Sequence, residues 1–125
     1  MEINEITATV IEESIEIHKE LGPGLLESVY EAALYHCLTG RGLTVTRQAP
    51  VPVYFKGVEL DIGFRADLIV ENKVMVELKS VEEVAPVHYK KLTTYLKFSD
   101  LRVALMINFN VVLLKQGIRR VVRNF

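Results

Sequence analysis

Asp67, Glu77 and Lys79 are the residues whose types and spacing could do chemistry. From Val58 the chain alternates, with Val58, Leu60, Ile62, Phe64, Ala66 and Leu68 on one face and Glu59, Asp61, Gly63, Arg65 and Asp67 on the other. That is the period of a strand. Glu71-Asn72-Lys73 reads as a turn, after which Val74, Val76 and Leu78 continue the apolar face and Glu77 and Lys79 the polar one. So short a connection pairs the strands antiparallel, and directly opposed residues share a face. Matching the apolar faces leaves two registers, one with Asp67 opposite Glu77 and the other with Asp67 opposite Lys79. Either brings two carboxylates and an ammonium into one small space.

Two adjacent carboxylates repel, and one is driven toward protonation. A divalent cation relieves the repulsion. Hard oxygen donors in this arrangement suit Mg²⁺ or Mn²⁺, which keep several waters and also accept phosphate oxygens. Lys79 beside such an ion could position or deprotonate a water, or neutralise charge developing on a phosphate. On spacing alone the alternative is a cross-strand surface salt bridge, a common and weak feature.

The elements that must position these residues follow from periodicity. Ile6, Val10, Ile17 and Leu21 recur at helical steps between Glu12, Glu13, Glu16 and Glu20, which predicts a helix over 3–21. Gly22-Pro23-Gly24 stops it. A second helix is expected over 25–39, burying Leu26, Val29, Ala33, Leu34 and Leu38, with Gly40 and Gly42 at its end. Residues 44–55 are rich in β-branched and aromatic types, and Pro50 and Pro52 place that strand at an edge or bulge. Lys56-Gly57 reads as a hairpin turn. A third helix is expected over 83–98, with Pro86 in its first turn. The apolar run from Leu101 to Phe109 predicts a central strand covered on both faces, and Val111 to Leu114 a last strand. The order ααβββαββ implies an α/β fold, a mixed sheet with helices packed on it.

Composition narrows the class. The chain has 125 residues, half apolar and a quarter charged, which is ordinary for one globular domain spanning 1–125. The single cysteine, Cys37, leaves no internal disulfide and no cysteine-rich zinc site, and suits a reducing cytoplasm. The N-terminus has no basic stretch before an apolar run, and no apolar run is long enough for a membrane span. The net charge is −1, unevenly spread: residues 1–31 carry eight Glu and one Lys, residues 115–125 four bases and no acid. Either a basic face exists despite the neutral total, or an acidic helix and a basic tail complement each other. Phosphate-binding glycine loops, Cys/His metal spacing and a serine triad are absent.

Asp67, nine residues, then Glu77-Leu78-Lys79 resembles the D…(D/E)xK signature of the PD-(D/E)XK nuclease superfamily, with Ala66 in place of its proline. The element order resembles that superfamily's restriction-endonuclease-like αβββαβ core. Gly24-Leu25-Leu26-Glu27-Ser28-Val29-Tyr30 reads as GxxExxY. With Phe64-Arg65-Ala66-Asp67 and the His88…Tyr95-Leu96 helix, it closely resembles the prokaryotic GxxExxY family, from about Ile6 to Val122.

The resemblance implies Glu27 as a third acidic ligand, direct or through water, where the residue alone reads as one more glutamate on an acidic helix. Tyr30 either contacts a carboxylate or phosphate, or is a core tyrosine. His88, Lys91 and Tyr95 share a helical face, and Lys91 stands where the family usually has glutamine. Lys91 there faces the scissile phosphate or is a solvated charge. His88 contacts phosphate or is structural. Arg65 clamps a phosphate or pairs with Asp61 or Glu77.

These readings converge on a metal-dependent nuclease. Glu27, Asp67, Glu77 and the Leu78 carbonyl would hold Mg²⁺ or Mn²⁺, Lys79 would assist, and the substrate would be nucleic acid, DNA ahead of RNA. The alternatives are a non-catalytic binding module that keeps the fold, and a metal- or small-molecule-binding protein. So small a protomer has little surface for sequence readout, which makes a homodimer a natural expectation.

Overall fold

A computed structural model describes residues 1–123. Asn124 and Phe125, included in the single-domain span 1–125, lie outside the described residues. Helix α1 runs Ile3–Leu21 and α2 Glu27–Gly40. Strands follow at β1 Val45–Val51, β2 Tyr54–Phe55, β3 Val58–Glu59, β4 Phe64–Val70 and β5 Val74–Lys79. Then come α3 Pro86–Ser99, β6 Val103–Asn108, a 3₁₀ turn Leu114–Gly117 and β7 Ile118–Val122.

Five strands form one mixed sheet in the order β1-β4-β5-β6-β7, while β2 and β3 pair as a separate hairpin. β5 and β6 are parallel and every other neighbour antiparallel. A parallel pair cannot be joined by a tight turn, and α3 supplies the crossover. Helices α1 and α2 cover one face over Leu68, Val70, Val76, Leu78, Leu105 and Ile107. α3 covers the other, over Met75, Ala104 and Met106. β6 is buried at every residue, as its unbroken apolar run requires. This is the architecture of a restriction-endonuclease-like fold. Among the described residues no helix is long and apolar enough to cross a membrane.

Local chemistry sets the boundaries. Gly22 takes φ +75° and its N–H closes on the His18 carbonyl at 2.8 Å, ending α1. Pro86 occupies the first turn of α3. Glu71 and Asn72 both adopt positive φ, and the Lys73 N–H bonds the Val70 carbonyl at 3.0 Å, turning β4 into β5.

The structure corrects several expectations. Leu21, Leu26 and Val29 are exposed, because the α1–α2 turn carries them past the edge of the sheet core. Val58, Leu60 and Ile62 are exposed too, because β2 and β3 form a hairpin off the main sheet and Leu60–Gly63 only leads into β4. Val111–Leu114 is no strand. Val112 and Leu113 lie in solvent, and the final strand is the basic segment Ile118–Val122. Gly117 lets the chain return close to β6, since a Cβ there would clash with the Asn108 carbonyl oxygen. Arg41 pairs with Glu13 at 2.9 Å and Glu12 at 3.5 Å on α1, while Arg120 reaches Asn4 and Thr7 on the same helix.

Candidate active site

The site lies where two paired strands part. The β4–β5 ladder pairs Val70 with Val74, Ile69 with Met75 and Leu68 with Val76, the register that sets Asp67 opposite Glu77. Beyond Leu68 the strands splay, and side chains replace the ladder. The Asp67 N–H donates to Glu77 Oε1 at 3.0 Å, and the Leu78 N–H donates to Asp67 Oδ2 at 2.9 Å. Backbone donors of this kind hold a carboxylate firmly. Glu77 and Lys79 share the α3 face with Met75.

Alternation breaks at this rung. Ala66 packs with the α3-side cluster, whereas Leu68 packs under α1 and α2. Strict period-two reading puts them on one face, whereas they pack against different helices.

Burial pushes the Glu77 carboxyl up to about 8, helped by the negative Asp67 beside it and opposed by the Asp67 N–H and by Lys79. The Tyr95 hydroxyl is raised as well, first by burial and then by Glu77 and Asp67. Its ring stacks on Phe64 at 3.8 Å. A small cleft of about 50 Å³ opens between β5 and α3, where Glu77, Lys79, His88, Lys91 and Tyr95 stand over Leu92 and Met106.

The fork thus brings together Asp67, Glu77 and Lys79, with Tyr95, His88 and Lys91 from α3. Arg65 sits apart. Its guanidinium donates to the Gln48 carbonyl at 3.0 Å, and it lines a neighbouring groove of about 560 Å³ beside the hairpin. Glu27 is exposed in the first turn of α2. Tyr30 belongs to the core. It is fully buried, stacks on Phe109 at 4.2 Å, donates to the Gly22 carbonyl at 2.6 Å and accepts the Leu25 N–H at 3.1 Å. Its hydroxyl closes the α1–α2 turn, so the substrate-contact alternative for Tyr30 gives way to the core one.

Two residues at the site escaped sequence reasoning. Glu31 is buried on α2, bonded by Arg47 Nε at 3.2 Å and by Gln48 Nε2 at 2.6 Å. The same Gln48 nitrogen lies 3.3 Å from Asp67 Oδ1. Glu31 carried a usable signal, four residues after Glu27 on one helical face. Gln48 carried none.

The donor set fits a small hard cation. Asp67 and Glu77 face each other half-buried, and their mutual repulsion is the condition a divalent ion relieves. No group of three or more His, Cys, Asp or Glu side chains is gathered for a metal among the described residues. Such an ion would therefore retain waters, as Mg²⁺ does.

No curated protein and no solved structure matches the chain. The family model of the PD-(D/E)XK nuclease superfamily matches residues 4–121. With Asp67, Glu77 and Lys79 assembled at the fork of a mixed sheet between helices, the chain belongs to the PD-(D/E)XK nuclease superfamily.

Proposed function

We propose that the protein is a metal-dependent nuclease of the GxxExxY branch, a single domain that hydrolyses nucleic-acid phosphodiesters, DNA ahead of RNA. The observation that carries this reading is the fork itself. Two carboxyl groups are held by each other's strand, with one raised to about 8, and Lys79 is beside them in a cleft rimmed by α3. Asp67, Glu77 and the Leu78 carbonyl would hold Mg²⁺ or Mn²⁺, and Glu27 would complete the shell through water. The bound ion would polarise the phosphate and lower the pKa of the attacking water.

This chain's own residues do the rest. Asp67 and Glu77 need no reorientation, because backbone N–H groups fix them. Lys79 offsets negative charge on the phosphate and orients a water. His88, Lys91 and Tyr95 line the approach, and Arg65 binds a neighbouring phosphate along the adjoining groove. A second copy would present a second site to the opposite strand.

The test compares wild type, Lys79→Ala and Asp67→Asn on single- and double-stranded DNA and RNA, with Mg²⁺ and with Mn²⁺. Lys79→Ala should abolish cleavage and keep the fold. Asp67→Asn should lose cleavage and cation binding together, an amide being a poorer ligand. A non-catalytic binding module is the second reading, favoured by the absence of a three-acid group among the described residues. It requires wild type to cut none of these substrates and Asp67→Asn to keep or raise nucleic-acid affinity.

A further inference from the structure

Strand β1 is regular except at one residue. Arg47 pairs with Leu68 and Ala49 with Ala66, so Gln48 stands opposite Asp67, yet that rung is not formed. Gln48 has φ +47°, the left-handed region, which a glutamine inside a strand adopts only at a cost. The same rung is where β4 loses its alternation. The bend aims the Gln48 carboxamide between two acids, 2.6 Å from Glu31 Oε1 and 3.3 Å from Asp67 Oδ1.

The far side of this bridge is anchored. Glu31 is buried and paired by Arg47, whose Nε and Nη2 both lie 3.2 Å from Oε2. Arg47 in turn sits over the Tyr35 ring on the same helix. Arg65 donates to the Gln48 carbonyl at 3.0 Å, a further hold on the bent backbone. Helix α2 therefore reaches Asp67 through a neutral donor. A carboxamide suits this place: it donates to two carboxylates without placing a cationic rival beside a metal.

We infer that Gln48 is a positioning residue for the cation site: its left-handed backbone holds a carboxamide between Glu31 and Asp67, fixing the Asp67 carboxylate so that its remaining lone pairs are presented to the ion. This rests on Asp67 being a cation ligand. It adds a second link from α2 to the site, through Gln48, with Glu31 as an anchor already paired and not as a ligand.

Backbone and side chain can be separated. Gln48→Gly keeps the positive φ without strain and removes only the carboxamide. Calorimetric titration of the full chain with Mn²⁺ alone should show affinity about tenfold weaker or more, the usual effect of losing a ligand's supporting hydrogen bond, with an unchanged circular dichroism spectrum. Gln48→Glu keeps the reach and replaces the donor by a third carboxylate. Its thermal midpoint should fall below that of Gln48→Gly without cation, and should rise more than wild type's when Mn²⁺ is added. A purely structural role predicts no such cation-dependent reversal.

Gln48→Gly binding Mn²⁺ within twofold of wild type overturns the inference alone. Wild type that binds no Mn²⁺ overturns it together with the cation reading. Wild type that binds Mn²⁺, loses affinity in Gln48→Gly, and cuts no nucleic acid removes the nuclease reading and leaves the inference standing.

Discussion

The two faces of the sheet are built to different standards. Among the described residues, sixteen buried ones form one cluster on the α1 and α2 side, mostly Leu, Ile and Val, closed by the stacked Tyr30 and Phe109. Under α3, seven buried residues suffice, and three of them are alanines. The thick face provides most of the apolar burial, and the thin face leaves room for polar side chains at the sheet surface. Glu77, Lys79 and Tyr95 occupy that room. The candidate site lies where packing is shallow: the proposed activity needs a charged cleft open to solvent, while the thick side behind it fixes the strands that carry the acids.

The largest effects should expose this difference in packing. Leu34→Ala, in the thick cluster, should cost about 3–5 kcal/mol, the upper range for a buried leucine that leaves a cavity. Leu92→Ala, on the buried side of α3 and at the floor of the cleft, should cost about 2 kcal/mol, because solvent and small neighbours relieve the void. Chemical denaturation of both variants decides. Equal losses would dissolve the contrast between the faces.

The next effect is pH dependence without metal. Glu77 has a native pKa raised to about 8 from an ordinary 4.5, so the native state binds more protons than the unfolded chain between those values. Stability must then fall as pH rises through that window. Thermal midpoints measured from pH 5 to pH 8 should decline in wild type and flatten in Glu77→Gln. Mn²⁺ should oppose the decline by binding the native state. A flat wild-type profile would mean that the thin face does not hold its acid in a buried setting.

A smaller effect separates the two tyrosines. Tyr30→Phe leaves the Gly22 carbonyl and the Leu25 N–H without their partner, and should cost about 1 kcal/mol while leaving cleavage intact. Tyr95→Phe should change cleavage more than stability. The smallest effect has the opposite sign. Leu26 is the N-cap of α2 with no side-chain cap bond and is largely exposed, so Leu26→Ser should raise stability by about 0.5–1 kcal/mol.

Much of this was legible in the residues, for definite reasons. The helix over 3–21, the Gly22-Pro23-Gly24 break, the Glu71-Asn72-Lys73 turn and the buried β6 follow from strong local signals. Parity across a short turn narrowed the partner of Asp67 to Glu77 or Lys79, and the ladder takes the first. Parity failed where it was asked to persist. From Val58 to Leu68 the sequence alternates without a fault, but Val58–Glu59 belongs to a separate hairpin and Ala66 and Leu68 face different helices. Val111–Leu114 has strand composition, yet Ile118–Val122, rich in arginine, is what pairs with β6, because an edge strand tolerates charge. Gln48 was illegible because nothing in a glutamine announces positive φ. Only the long-range meeting of α2, β1 and β4 makes that conformation tenable.

The fork between β4 and β5 also bears on how the hairpin closes. Its turn, Glu71–Lys73, lies at the end away from the acids, and the Val70–Val74, Ile69–Met75 and Leu68–Val76 rungs follow from it in order. Zipping from the turn reaches Asp67 and Glu77 last, and there the final rungs are made by side chains and not by main-chain carbonyls. The Asp67 and Leu78 amide protons should accordingly exchange with deuterium faster than those of Val70 and Val76. A cation held by the two carboxyl groups would slow them.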